Sequence, residues 1–222
     1  MIHTGVTNLG IPLTAAYLSW VLAVPLFWLT RYVDAVAHEG GHALIGKLLF
    51  RKIVDIRFVR GGGGATDFGK EKLPWLVDVL VTAAGYLGPS MFGLLAIPLL
   101  RHGATEAVLW ASVVFLLLMM LAVRGPIGLL LVPALIVLIA WIALKVKPPV
   151  QVLLTYMWVW FLLIAPVQEM VVHIDKSIFR DARSDPAFMQ RLTRLPSELW
   201  ALAFLVGTVA ALVYGGSLLL HG

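Results

Sequence analysis

Apolar residues dominate this chain in blocks of about twenty, separated by short polar stretches. Residues 11–30, 75–100, 107–123, 127–144, 150–172 and 197–220 each carry too few charges for a solvated helix. Each is near the length that crosses a hydrocarbon core of about 30 Å as an α-helix. Apolar and polar positions do not alternate in these blocks, which excludes a membrane β-barrel. The pattern predicts an all-α polytopic membrane protein with about six transmembrane helices, residues 1–222 forming a single domain. Residues 11–50 read equally as one long helix or as two that break between Pro25 and Arg31.

Two stretches depart from this pattern. Residues 51–74 are polar and basic: Asp55, Arg57 and Arg60 alternate loosely with Val54, Ile56 and Val59. Gly61, Gly62, Gly63 and Gly64 follow, and Ala65 to Asp67 can return as a second strand. This predicts a small membrane-associated β-hairpin over about 53–67. Its edges cannot face lipid unpaired, so it belongs at the surface or against protein. The second stretch, 173–196, reads as a basic loop with Lys176, Arg180, Arg183, Arg191 and Arg194. Four spans separate the two basic stretches, so they fall on one side, and the positive-inside rule makes that side the cytoplasm.

Composition sharpens this reading. The 222 residues are 60% hydrophobic and 13% charged, with a mean hydropathy of +0.93. Soluble domains are about 45–50% apolar and about 25% charged, so a soluble globule is excluded. The absence of cysteine excludes disulfides and thiolate metal sites. The net charge of +5 comes from loop lysines and arginines, and so reflects topology rather than nucleic-acid binding. No Lys or Arg precedes the first apolar block, which speaks against a cleaved secretory signal.

The candidate chemistry is His38-Glu39-Gly40-Gly41-His42, a His-Glu-x-x-His pattern on a helix. Side chains four apart share a face, so His38 and His42 can hold one zinc ion through imidazole nitrogens. Glu39 adjoins the first ligand and is placed as general base, then proton donor, toward a water at that ion. Ionisable residues among membrane spans are costly and generally functional. Gly40 and Gly41 each cost about 1 kcal/mol relative to alanine inside a helix. They therefore imply a close approach, either of a strand or substrate backbone or of a neighbouring helix. Asp34, one turn before His38, is expected to pair with Arg31; the alternative is that it orients the His38 imidazole. A catalytic zinc site needs a third protein ligand. Glu169, His173, Asp175, Asp181 and Asp185 are all candidates, and spacing does not choose among them.

Three stretches carry a family resemblance: Val36 to Leu44 with the basic strand and glycine run after it; Ala83-Ala84-Gly85-Tyr86-Leu87-Gly88-Pro89-Ser90; and Ser184-Asp185-Pro186-Ala187 with Leu192-Thr193-Arg194-Leu195-Pro196 and Trp200. With these the chain resembles the site-2 protease class of intramembrane zinc metallopeptidases, in its small bacterial branch. It departs in having Gly40 within the zinc motif and Pro186 after the aspartate, and in lacking the Asn-x-x-Pro and Leu-Asp-Gly arrangement. The resemblance implies Asp185 as third ligand and one Zn2+ per chain. It also implies a bacterial cell membrane location and a membrane protein or peptide substrate cut in or near a transmembrane segment. A helical peptide bond is shielded, so such a substrate must unwind. The hairpin, with Gly61 to Gly64, could hold it as an added strand. The competing reading is a zinc-binding membrane scaffold, or a degenerate protease, without hydrolysis.

Overall fold

The computed structural model describes residues 9–70, 74–176 and 181–221. Arg180 of the basic loop and residues 71–73 of the hairpin stretch lie outside them. The chain is predominantly helical. In order it forms α1 (Gly10–Ala23), α2 (Phe27–Leu48), β1 (Asp55–Val59), β2 (Gly63–Asp67), α3 (Trp75–Arg101), α4 (Thr105–Met120), β3 (Val123–Arg124), α5 (Pro126–Lys145), α6 (Pro148–Asp175), α7 (Asp185–Thr193) and α8 (Ser197–His221).

Four helices, α3, α5, α6 and α8, are long and apolar enough to cross a membrane. The pair α1 and α2 makes a fifth candidate if taken as one broken span. The sixth expected span is α4, whose 16 residues reach only about 24 Å. Residues 11–50 are thus two helices, bent by 101° at the break. The cause is Pro25, which has no N–H to donate and clashes with the preceding turn. The Thr30 hydroxyl donates to the Leu22 carbonyl at 2.7 Å, satisfying an acceptor that the break would otherwise leave unpaired.

The expected hairpin is present, with Asp55 opposite Asp67 and Val59 opposite Gly63. It is larger than the sequence indicated. Ile56 and Arg57 also pair in parallel with Val123 and Arg124, giving a three-stranded sheet of order β2-β1-β3. The connection between α4 and α5, read from sequence as a bare joint, thus closes one edge of β1. Two residues are too few to show any strand periodicity. Ile56, Phe58 and Val123 are buried and pack with Leu109, Val113, Leu116, Met119 and Val132 of α4 and α5. That cover shields β1 and β3 on one face, while β2 stays at the edge of the sheet.

The second polar stretch also carries structure. Its residues 185–193 form α7, not loop. Ser184 caps the helix by accepting from the Ala187 N–H at 3.4 Å. A proline stands in the first turn, and Arg194 ends the helix in the left-handed region at φ 64°. Met189 is fully buried beside Tyr86, Met170, Ala201 and Phe204. The Trp75 indole N–H donates to the Leu192 carbonyl at 2.8 Å, tying α7 to the start of α3. The second polar stretch is therefore fastened to the helix that directly follows the first.

Candidate metal centre

His38 and His42 project from one face of α2, which packs along α3 more extensively than any other helix pair. The glycines make this contact possible. A Cβ on Gly41 would stand 2.0 Å from the Ala84 carbonyl oxygen and 3.1 Å from the Gly88 Cα. A Cβ on Gly40 would stand 2.7 Å from the Phe115 ring of α4. Both glycines serve helix packing, which settles the alternative left open by the sequence.

Asp185, at the start of α7, meets both histidines. Its Oδ2 lies 3.1 Å from His38 Nε2 and 3.3 Å from His42 Nε2. These three side chains form the one group among the described residues with ligand atoms close enough to share an ion, all within 4.8 Å of one another. Burial alone would raise the Asp185 carboxyl; the facing imidazoles of His42 and His38, when charged, outweigh it and hold the group well below the usual carboxylate range.

Four observations fit this trio to a metal. Donors at zinc–ligand distance around one tetrahedral ion lie roughly 3.3–3.5 Å apart, close to the two histidine–aspartate spacings seen here. His42 Nδ1 is 2.7 Å from the Val81 carbonyl oxygen. A carbonyl only accepts, so Nδ1 carries the proton and Nε2 faces Asp185, the usual backing of a metal-ligating histidine. Asp185 Oδ2 is buried without a hydrogen-bond partner among the described residues. Finally, a Cβ on Gly85 would stand 2.5 Å from His42 Nε2 and 2.6 Å from Asp185 Oδ2. Only glycine leaves that space open.

Glu39 is 3% exposed. The Thr66 hydroxyl of β2 donates to its Oε2 at 2.6 Å. A Cβ on Gly64 would stand 2.6 Å from its Oε1. Gly64 and Thr66 share a strand face by the two-residue period, and that face lies on Glu39. The four glycines divide: Gly61 and Gly62 make the turn, with φ of 105° and 85°, while Gly63 and Gly64 belong to β2.

The other candidates lie elsewhere. Glu169 approaches the opposite ring nitrogen of His38, its Oε2 3.6 Å from Nδ1. The His173 Nδ1 bonds the Glu169 main-chain oxygen at 2.7 Å. Asp175 and Asp181 are not in the group. The expected Arg31–Asp34 ion pair is absent among the described residues. Asp34 is 1% exposed and adjoins Glu169 and His38, whereas Arg31 lies under the Gly62 turn. Helix α2 is buried on this face, so Asp34 points into the bundle and not toward a surface cation.

Sequence reasoning gave no role to Val81, Gly85, Tyr86 or Thr66. Tyr86 is buried with its ring edge-on to His38, centroids 4.7 Å apart, and stacks on Phe204 at 5.3 Å. Gly85 and Tyr86 stood only within the resemblance stretch 83–90, where small residues at 84, 85 and 88 also mark close helix packing. The carbonyl of Val81 has no sequence signature at all.

The model of the family described as Peptidase M50B-like matches residues 11–215, from α1 into α8. Neither the curated proteins nor the solved structures yielded a significant match.

Proposed function

The chain belongs to the Peptidase M50B-like family, and on that premise we propose that it is a zinc endopeptidase of the site-2 protease class, cutting a membrane protein in or near a transmembrane segment. The observation that carries this reading is the convergence of His38 Nε2, His42 Nε2 and Asp185 Oδ2 beside a buried glutamate held under a glycine strand. His38, His42 and Asp185 would hold the ion. Bound there, zinc supplies Lewis-acid polarisation of the scissile carbonyl and lowers the pKa of a water toward about 7.

The protein's own residues do the rest. Glu39 takes the proton of the attacking water and later delivers it to the leaving amine. The Thr66 hydroxyl holds one carboxylate oxygen, so the other remains for proton transfer. Strand β2 lies at the edge of the sheet, paired on one side by β1. An unwound substrate can add to its free edge through main-chain hydrogen bonds. Gly63 and Gly64 let that backbone approach without side chains in the way. Gly61 and Gly62 form the turn that sets the strand's position. The basic ends that carry the hairpin and α7 are assigned to the cytoplasmic side.

The test is Glu39→Gln in full-length protein purified in detergent and given a transmembrane peptide. We expect zinc to be retained and cleavage to fall by about 10²–10⁴-fold, the usual worth of a general base. Cleavage at the wild-type rate would overturn the assignment of Glu39. A wild-type chain that holds zinc yet cleaves nothing would favour the scaffold reading.

A further inference from the structure

The two histidines are backed differently. His42 Nδ1 is met by a main-chain carbonyl at 2.7 Å. His38 Nδ1 is met by no carbonyl among the described residues, and the group facing it is the Glu169 carboxylate at 3.6 Å. Behind Glu169 stands Asp34. His38 Nδ1, Glu169 Oε2 and both Asp34 oxygens are buried, and the polar groups they face are one another. A membrane-embedded helix pair does not gather so many buried polar groups without use. Tyr86, edge-on to the His38 ring, limits the ring's freedom on one face.

We propose that Glu169, braced by Asp34, is a positioning residue that accepts the His38 Nδ1 proton and so aims His38 Nε2 toward Asp185 and His42. This deepens the metal reading above and rests on it. The two nitrogens of an imidazole point to opposite sides of the ring. A carboxylate on the Nδ1 side therefore acts through the histidine and is not a third ligand. A carboxylate acceptor fixes the tautomer that leaves Nε2 unprotonated, and it makes that nitrogen a stronger donor than a neutral carbonyl would. Asp34 lies one turn before His38 on α2 and Glu169 lies on α6, so the array also pins the metal helix to α6.

The experiment uses the full-length chain in detergent. Zinc affinity is measured by competition with a chromophoric chelator, and the visible absorption of the Co2+-loaded protein reports ligand geometry. Glu169→Ala should weaken zinc by roughly 10–100-fold, the usual cost of losing a histidine's carboxylate partner, and should shift the Co2+ bands. Glu169→Gln keeps an acceptor oxygen but not the charge, and should restore part of the affinity. Asp34→Asn should weaken zinc in the same direction by less. Wild-type affinity and bands in both Glu169 variants would overturn the proposal. So would complete loss of zinc in Glu169→Ala with retention in Asp185→Ala, which would make Glu169 the ligand. Should Glu169→Ala fail to fold, Glu169→Gln decides alone: weaker binding with shifted bands supports the proposal, and wild-type behaviour overturns it. Failure of the metal reading looks different: wild type and His42→Ala would bind zinc equally poorly, which removes this proposal with it.

Discussion

The candidate metal centre joins two helices of opposite character. Helix α2 has 22 residues and lies in the bundle, its glycines pressed against the α3 backbone and an α4 side chain. Helix α7 has nine residues and sits at the bundle's end. It is held by a buried methionine, a serine cap and a few polar contacts. One helix brings two imidazoles at a spacing fixed by its own geometry. The other brings a single carboxylate whose place depends on docking. A change at the α2–α3 backbone contact should therefore damage fold and site together, while a change in the space beside the ligands or around α7 should loosen the site and spare the fold.

The largest effect is expected from Gly41→Ala. The added methyl meets a main-chain carbonyl at 2.0 Å, and main chain cannot swing aside. The helices must part, at a cost of about 3 kcal/mol, the upper end for overpacking. Thermal unfolding in detergent should show a large loss of stability, with zinc lost as well. A stable variant that retains zinc would break the contrast.

Gly85→Ala comes next and separates the two properties. Its methyl meets side-chain atoms of His42 and Asp185, which can move. Stability should stay near wild type while zinc affinity falls roughly 10-fold or more, as when a ligand loses its held geometry. Equal damage to both would mean that the α2–α3 seam, not the ligand space, is what Gly85 protects.

Metal removal should act on α7 alone. A ligand that binds only the docked state stabilises that state by mass action. Excess chelator should speed trypsin cleavage at Arg191 and Arg194 several-fold while α2 remains protected. Unchanged cleavage would show that α7 docks without help from the ion.

The smallest effects belong to single contacts of α7. Ser184→Ala removes a cap worth about 1 kcal/mol, and chelator competition should show zinc binding weakened by up to about fivefold. Trp75→Phe removes one exposed hydrogen bond to Leu192, worth about 0.5 kcal/mol at the low end for such bonds. Its expected effect is about twofold by the same assay. A larger loss than in Ser184→Ala would make the α3 anchor, rather than the cap, the main hold on α7.

Much of this molecule was legible before its fold. The long spans follow from apolar length, because lipid leaves a backbone no partner but itself. His38 and His42 share a face because the helix repeats every 3.6 residues. Gly61 to Gly64 announced a turn. These are local properties, set by neighbours within a few residues. The nine-residue α7 and the two-residue β3 were obscure, since neither is long enough to show a clear period.

What the sequence left open depends on approach between distant segments. It offered five possible third ligands, and only packing places Asp185 against His38 and His42 and puts Glu169 behind His38. It offered Arg31 as the partner of Asp34, whereas the fold turns that carboxyl inward. It left two uses for Gly40 and Gly41, and only the positions of Ala84 and Phe115 distinguish them. Chain periodicity and side-chain chemistry told in advance of the long helices, the hairpin and the atoms able to bind a metal, because those are local properties. The tertiary structure alone decided which of those atoms meet, because such contacts depend on how helices far apart in the chain pack together.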